Sequence, residues 1–474
     1  MTSTEYDLIV LGGGATGENL ADRAVQGGLT TVIVEDELVG GECSYWACMP
    51  SKALLRSAQA LLGAQRVPGA AEAVTGTLDV PAVLARRDSF TSHWSDVGQV
   101  KWLDSAGINL VRGHGRITAP REVTVTGEDG TTSVLTARHA VAIATGSNAL
   151  VPHIDGLRDA APWTSREATS TRTIPASLVI LGGGVVAAEM ATAFAGFGAA
   201  VTVIARSGLL GGMEPFAGEL VADALRKQGV TVLLHTETAR VNRSASCVTV
   251  ETGDGQSITA EQVLVATGRI PRTTDLGLET VGLTPGDWID TDDTMLVRGF
   301  DWLYAAGDVT HRALLTHQGK YQGRAAGDVI AARAAGATVL DEPWGAHVAT
   351  ADHEAVPQVT FTEPEVASIG LTDASARAAG YKVRSVDYQI GQVAGASLRA
   401  DRYEGRARMV VDEQRKVVLG VTFVGPDVSE LLQAATIAVV GEVPLDRLWH
   451  AVPAYPTVNE IWLRLLEEYG RPLG

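Results

Sequence analysis

Two cysteines set the chemical question. Cys43 and Cys48 lie in the run Gly40-Gly41-Glu42-Cys43-Ser44-Tyr45-Trp46-Ala47-Cys48-Met49-Pro50-Ser51-Lys52. A thiolate is a nucleophile and a redox carrier, and a helix N-terminus lowers its pKa. Their spacing is neither the C-x-x-C of thioredoxin-like motifs nor a paired zinc knuckle, so no metal site is expected. In a regular helix five residues rise about 7.5 Å. A disulfide needs Cα atoms about 4.4–6.8 Å apart, so the turn must be distorted for the pair to close. Pro50 favours distortion, because inside a helix it cannot donate to the Trp46 carbonyl and would crowd it. Cys247, in the strand-like run Ser244 to Val248, reads as a small buried residue.

Two glycine clusters offer phosphate chemistry. Gly12-x-Gly14-x-x-Gly17 follows an apolar run and opens a helical one. Gly12 permits a tight turn, Gly14 a close approach to a pyrophosphate, and Gly17 close helix–strand packing. The pyrophosphate would sit on the free N–H groups of the helix. Glu35, 21 residues after Gly14, stands where a carboxylate binds a ribose hydroxyl. The second cluster, Gly182-x-Gly184-x-x-Ala187, ends in alanine. Its second strand ends in Arg206, with no acid. An arginine there suits a 2′-phosphate, so this site favours NADP(H) over NAD(H). The plainer reading of Arg206 is a solvated surface charge. Two dinucleotides on one chain suggest a flavin plus a nicotinamide.

The elements that position these residues repeat. Tyr6–Leu11, Ala15–Gly27 and Thr31–Glu35 read as strand, helix and strand. Leu178–Leu181, a helix reaching Phe197, and Ala200–Ala205 repeat that βαβ unit. Asn109–Ile143 reads as several short strands, and residues 286–310 return to short strands. Ala346–Val356 reads as a linker. Beyond it, strands at Pro357–Phe361, Ala407–Asp412 and Val417–Val424 alternate with helices at Asp373–Ala379 and Val428–Val440. At about 150 residues per domain, 474 residues suggest roughly three domains. A net charge of −17 disfavours nucleic acid and anionic membrane. With no signal-like leader, no apolar run of about 18 residues and only three cysteines, the expectation is a soluble cytoplasmic protein.

The motif Gly-Gly-x-Cys-x4-Cys-x-Pro-Ser-Lys, after a glycine turn and an acid, resembles the pyridine nucleotide-disulfide oxidoreductases. Ala144-Thr145-Gly146, Ala266-Thr267-Gly268-Arg269, Leu303 to Val309, and Thr362-Glu363-Pro364-Glu365 extend the likeness along essentially the whole chain. The resemblance implies an α/β fold with two Rossmann-like domains and an α+β dimerisation domain. The expected limits are residues 1–150 and 276–345 for the FAD-binding domain, 151–275 for the NAD(P)-binding domain and 346–474 for the interface domain. It implies a homodimer that binds FAD at Gly12, Gly14, Gly17, Glu35, Gly41, Thr145, Gly146, Asp308 and Thr316. It places the nicotinamide nucleotide at Gly182, Gly184, Ala187, Arg206 and Gly268. Reducing equivalents would pass from NADPH through FAD to a Cys43–Cys48 disulfide. Cys48 would be the thiol nearer the flavin and Cys43 the interchange thiol. Lys52 and Glu189 match the family's ion pair beside the flavin, while His317 has a plain helix-start role.

One departure bears on the acceptor. The family's disulfide reductases carry His-Pro-Thr-x-x-Glu across the dimer, and here Tyr455-Pro456-Thr457-Val458-Asn459-Glu460 stands in its place. Tyrosine donates a proton but is a poor base at neutral pH. His450 could replace the imidazole only if its loop bends. Mercuric reductase also departs here, but its C-terminal vicinal cysteines have no match in Arg471 to Gly474. Tyr45 and Trp46 either narrow the approach to the cysteines or simply pack. The expectation is reduction of a disulfide or other small electrophile, with Tyr455 and Glu460 near Cys43. The alternatives are direct transfer from flavin to a quinone or oxygen, or a flavin-bearing redox sensor within a larger complex.

Overall fold

A computed structural model describes residues 4–471. They divide into two compact units. One comprises the chain up to Pro50, Asp88–Ala149 and Arg269–His353. The other comprises Ser51–Arg87, Leu150–Gly268 and the chain from Glu354.

The first unit is built on strands that are buried on both faces. β1 (Thr4–Leu11) and β2 (Thr31–Glu35) carry unbroken buried runs, Leu8 to Leu11 and Thr31 to Glu35. A parallel sheet covered on both sides calls for this pattern. β3 (Asn109–Arg112), β4 (His114–Ala119), β5 (Glu122–Thr126) and β6 (Thr132–Ile143) complete the order β3-β2-β1-β6-β5-β4. The strand Leu303–Ala305 adds parallel to β6. The β1–β2 register pairs Val10 with Ile33 and Leu11 with Val34. Both strands therefore end at one edge, and the glycine turn leaves from there into α1 (Ala15–Gln26). α1 lies unusually close to the long helix Thr316–Ala334. A Cβ on Gly319 would meet Thr16 Oγ1 at 2.3 Å, and one on Gly323 would meet the Thr16 carbonyl at 2.6 Å.

The cysteine run folds as two helices, α2 (Gly41–Tyr45) and α3 (Cys48–Gln65), separated at Trp46 and Ala47. This break is the distortion that the spacing requires. Pro50 does not cause it. It is the third residue of α3, where a backbone N–H would have no partner within the helix.

In the second unit, β7 (Ser177–Leu181), α4 (Val185–Gly196) and β8 (Ala200–Ala205) form the repeated βαβ. They belong to a four-stranded parallel sheet flanked by Thr231–Leu234 and Gln262–Val265. A three-stranded antiparallel sheet spans Thr238–Arg243, Val248–Thr252 and Ser257–Ala260. The C-terminal part holds a five-stranded antiparallel sheet, centred on the fully buried strand Val417–Gly425.

Three expectations need correction. Residues 286–310 hold only one strand, Leu303–Ala305. The Asp292 carboxylate accepts from the Thr294 and Leu296 N–H groups at 2.8 and 3.2 Å, a local alternative to a ladder. The expected linker contains the helix Ala351–Glu354 and is anchored by buried Asp352, which accepts from Gln318 and Gln322 at 2.9 Å. Cys247 lies half-buried in a turn before its strand, its N–H donating to Ser244 Oγ at 3.2 Å.

Candidate active site

The cysteines of the first unit are both thiols, half-buried, and close enough to hydrogen-bond. Cys48 begins α3, and its Sγ lies 3.2 Å from Thr316 Oγ1, at the first residue of the helix Thr316–Ala334. The hydrogen bond from Cys48 and burial raise the Cys43 pKa, while Thr316 and the charge of Lys320 pull it down. Tyr45 is packing. It is buried, donates its hydroxyl to the Val39 carbonyl at 3.0 Å, and burial pushes its pKa up to about 12. Trp46 stacks edge-on against it with ring centroids 5.5 Å apart.

Beside the thiols runs a cleft of about 720 Å³, lined by Gly12, Gly14, Glu35, Gly41, Cys43, Thr145, Gly146, Asp308 and Thr316, among others. A neighbouring opening of about 850 Å³ shares Gly12, Glu35 and Thr145 and adds His114 and Ile270. Gly12 has φ +101, and a Cβ there would lie 2.5 Å from the Ala144 carbonyl. A Cβ on Gly17 would lie 2.0 Å from the Gly12 carbonyl. Gly14 caps α1 without any side-chain hydrogen bond, which leaves the first N–H groups for an anion. Glu35 is buried and accepts from the Gly13 and Glu37 N–H groups at 2.6 and 2.8 Å. These features fit a dinucleotide whose pyrophosphate sits on the turn.

Sequence reasoning passed over two partnerships here. Arg269 donates to Ser147 Oγ at 2.6 Å, and Ser147 donates to Asp308, so two strand starts are tied to the turn that follows Leu303–Ala305. Arg272 donates to Glu42 at 3.1 Å, beside Cys43. Arg269 stood in a recognised motif, whereas nothing local marks Glu42 as its neighbour's partner.

In the second unit, Lys52 Nζ lies 2.8 Å from Glu189 Oε2. Glu189 is buried, and its other oxygen accepts the Phe361 N–H at 3.0 Å. The Phe361 ring lies 4.9 Å from the lysine nitrogen, a cation–π contact. Gly182 has φ +132 and would place a Cβ 2.2 Å from the Ala266 carbonyl. Gly184 caps α4 without a side-chain bond, Ala187 is fully buried, and Gly268 has φ +149. Arg206 is exposed just past β8. Tyr455 is 76% exposed, His450 is exposed, and Glu460 is buried with Oε2 lacking a partner among the described residues. His317 is exposed, and residues 472–474 lie outside the described part.

A fold with two dinucleotide turns and a dithiol beside one of them defines a flavin- and nicotinamide-linked oxidoreductase. The chain belongs to the pyridine nucleotide-disulphide oxidoreductases: that family's model matches residues 6–324, and its dimerisation domain matches residues 356–465. A mercuric reductase of Streptomyces lividans is 34% identical over 463 residues, covering 94% of this chain and 93% of the relative. A dihydrolipoyl dehydrogenase of Haloferax volcanii is 32% identical, covering 98% and 96%. The crystal structure of LpdA from Mycobacterium tuberculosis superposes with TM-score 0.84 at 24% identity, over 98% of this chain and 99% of that one. A Cu(II) complex of the HOCl-induced flavoprotein disulfide reductase RclA from Escherichia coli gives TM-score 0.82 at 22% identity, with the same coverage. Among the described residues, no helix is long and apolar enough to cross a membrane, and no cluster of His, Cys, Asp and Glu could hold a metal ion.

Proposed function

We propose that the protein is a homodimeric, cytoplasmic NADPH-dependent flavoenzyme that reduces a disulfide or another small electrophile through Cys43 and Cys48. The observation that carries this reading is the dithiol at the wall of the first dinucleotide cleft, with Thr316 on Cys48. Bound FAD would supply the two-electron link between a nicotinamide hydride and the cysteine disulfide.

The chain's own residues divide the remaining work. Gly12, Gly14, Gly17 and the start of α1 hold the diphosphate, and Glu35 holds the ribose. Lys52, fixed by Glu189, supplies a positive charge beside the ring. The Cys43 thiolate attacks an acceptor disulfide, forms a mixed disulfide and releases one thiolate, which takes up a proton. Cys48 then attacks Cys43, restores the Cys43–Cys48 bond and releases the second thiol. Tyr455 and Glu460, contributed across the dimer, supply a proton donor and its support. Exposed Ile437 and Val440 on the helix Leu432–Val440 support an apolar subunit contact. Arg206, with no acid at that strand end, supports NADPH over NADH.

Anaerobic mixing with NADPH tests this reading. The expected result is rapid flavin bleaching followed by long-wavelength thiolate–flavin absorbance, with an acceptor panel of disulfides, quinones and metal ions to follow. Cys43→Ser should keep flavin reduction within about twofold and lose acceptor turnover by about a hundredfold or more. A variant that keeps full turnover would instead establish direct transfer from the flavin to a quinone or oxygen. The tyrosine at position 455, a poor base at neutral pH, favours that second reading.

A further inference from the structure

A charge taken out of water is costly unless partners replace the lost hydration. The Asp352 side chain, in the first unit, is 1% exposed and has such partners. One oxygen accepts from Gln318 Nε2 at 2.9 Å, and the other from Gln322 Nε2 at 2.9 Å. Arg312 Nε stands 3.7 Å from the second oxygen. His353 Nε2 faces the same cluster, 2.9 Å from Arg312 and 2.8 Å from Asp293 Oδ1. Burial raises the Asp352 pKa, while the Arg312 charge and both glutamines lower it.

The orientation of Gln322 is fixed by its other partner. The Gly307 N–H donates to Gln322 Oε1 at 2.7 Å. A backbone N–H can only donate, so the amide must turn its oxygen to Gly307 and its NH2 to Asp352. The bonds therefore run one way, from the Gly307 N–H through the Gln322 amide to the carboxylate. Gly307 has little room to shift: its φ is +80, and a Cβ there would lie 2.7 Å from Thr16 Oγ1 in the first turn of α1. The next residue, Asp308, lines the dinucleotide cleft and accepts from Ser147. Gln318 carries a second arm. It lies two residues after Thr316, in the first turn of the same helix, and Thr316 Oγ1 lies 3.2 Å from Cys48 Sγ.

We propose that Asp352 is a positioning residue for the oxidoreductase site and acts through the two glutamines. Gln322 sets the Gly307–Asp308 turn against the cleft, and Gln318 sets the helix start that presents Thr316 to Cys48. One buried carboxylate thereby couples the nucleotide wall to the dithiol wall. Asp352→Asn breaks the relay, because an asparagine offers one oxygen to two NH2 groups. Asp352→Asn together with Gln322→Glu restores it. The new amide then donates to the new carboxylate, which still accepts the Gly307 N–H, and the net charge equals the parent's. The inference rests on the flavin and dithiol reading above.

The test is a cycle of variants of the FAD-loaded protein at pH 8. It is read by the rate of FAD release on dilution and by hydrogen exchange of the Gly307 amide, followed by fragmentation mass spectrometry. Asp352→Asn should speed both about tenfold. Gln322→Glu alone brings two carboxylates together and should do the same. The double variant should return both rates to within about threefold of the parent, a rescue that general structural damage would not show. Gln318→Leu should weaken the long-wavelength thiolate–flavin absorbance of the NADPH-reduced protein and leave FAD release within about twofold. A double variant no better than either single one would overturn the relay, as would Asp352→Asn exchanging at the parent's rate. Should Asp352→Asn fail to fold, recovery of folded protein in the double variant supports the relay, and no recovery overturns it. An unchanged absorbance in Gln318→Leu would overturn the second arm. An exchange cycle that closes while FAD release never changes would overturn the link to the nucleotide. If the parent binds no FAD, the flavin reading fails, and the exchange cycle alone still decides the relay.

Discussion

The glycine turns at Gly12–Gly17 and Gly182–Ala187 share one plan and differ in how they are closed. The first is roofed: Gly14 pairs with Gly40 in a bridge, and Gly41 would carry a Cβ 2.9 Å from the Gly14 Cα. Its strand-end carboxylate is held to the turn by the Gly13 N–H and fixed from behind by the Glu37 N–H. At the second turn nothing lies within 4 Å of a Cβ on Gly184, alanine takes the third glycine's place at Ala187, and the strand end carries an exposed arginine. A roofed turn with a fixed acid suits a nucleotide that stays. An open turn with an exposed cation suits one that comes and goes.

The sharpest way to break this contrast is to exchange the residues at the third glycine position. Gly17→Ala would force a methyl against the Gly12 carbonyl. It should cost more than about 3 kcal/mol and leave the purified protein colourless, read by flavin content and thermal melting. Ala187→Gly should cost only about 1 kcal/mol and change the nicotinamide KM by about twofold. Comparable losses from both would end the argument that the turns do different work.

A smaller effect is expected at the strand ends. Arg206→Ala should lower kcat/KM for NADPH about thirtyfold and leave NADH within about twofold, since one charged hydrogen bond contributes roughly 2 kcal/mol. Equal loss for both nucleotides would reduce Arg206 to a surface charge. Glu35→Gln keeps one acceptor and loses the other, so FAD affinity should fall about tenfold by fluorescence titration. An unchanged affinity would show that Glu35 serves only to close the turn.

The smallest effect concerns pH. The folded-state pKa of Glu18, about 7, lies above its ordinary value of 4.5. A raised carboxyl pKa contributes stability that is complete below about pH 4.5 and is lost as pH rises through about 7. The melting temperature of the parent relative to Glu18→Gln should therefore drop by a few degrees between pH 5 and pH 8. A constant difference across that range would mean that Glu18 titrates normally.

Much of the fold was legible because its signals are local. Buried β-branched runs, glycines at fixed offsets and a strand-end acid mark the first βαβ to within two residues at every boundary. The two cysteines stood out by type and spacing alone. Long-range partners were not legible. The helices Ala15–Gln26 and Thr316–Ala334 press together through the glycines at 319, 323 and 327, and nothing near Thr16 or Leu20 announces those glycines as their neighbours. Residues 286–310 were expected to form short strands, but side chains such as Asp292 satisfy the backbone there instead of a ladder. Cys247 misled for a similar reason, since Ser244 turns the chain just before the strand begins.

The first unit is assembled from three stretches of chain, and its sheet includes Leu303–Ala305 from the last of them. This has a consequence for synthesis on the ribosome. The 150–268 stretch, which holds the second glycine turn, is contiguous and emerges while the first unit still lacks a strand and the Thr316 helix. The first unit cannot close until His353 of 474 residues has been made. During that interval the edge of β6 and the apolar face of α1 remain uncovered, which is the condition under which nascent chains aggregate or recruit chaperones. Mutations that slow folding most should therefore lie in the late segment, far from the cysteines whose surroundings it completes.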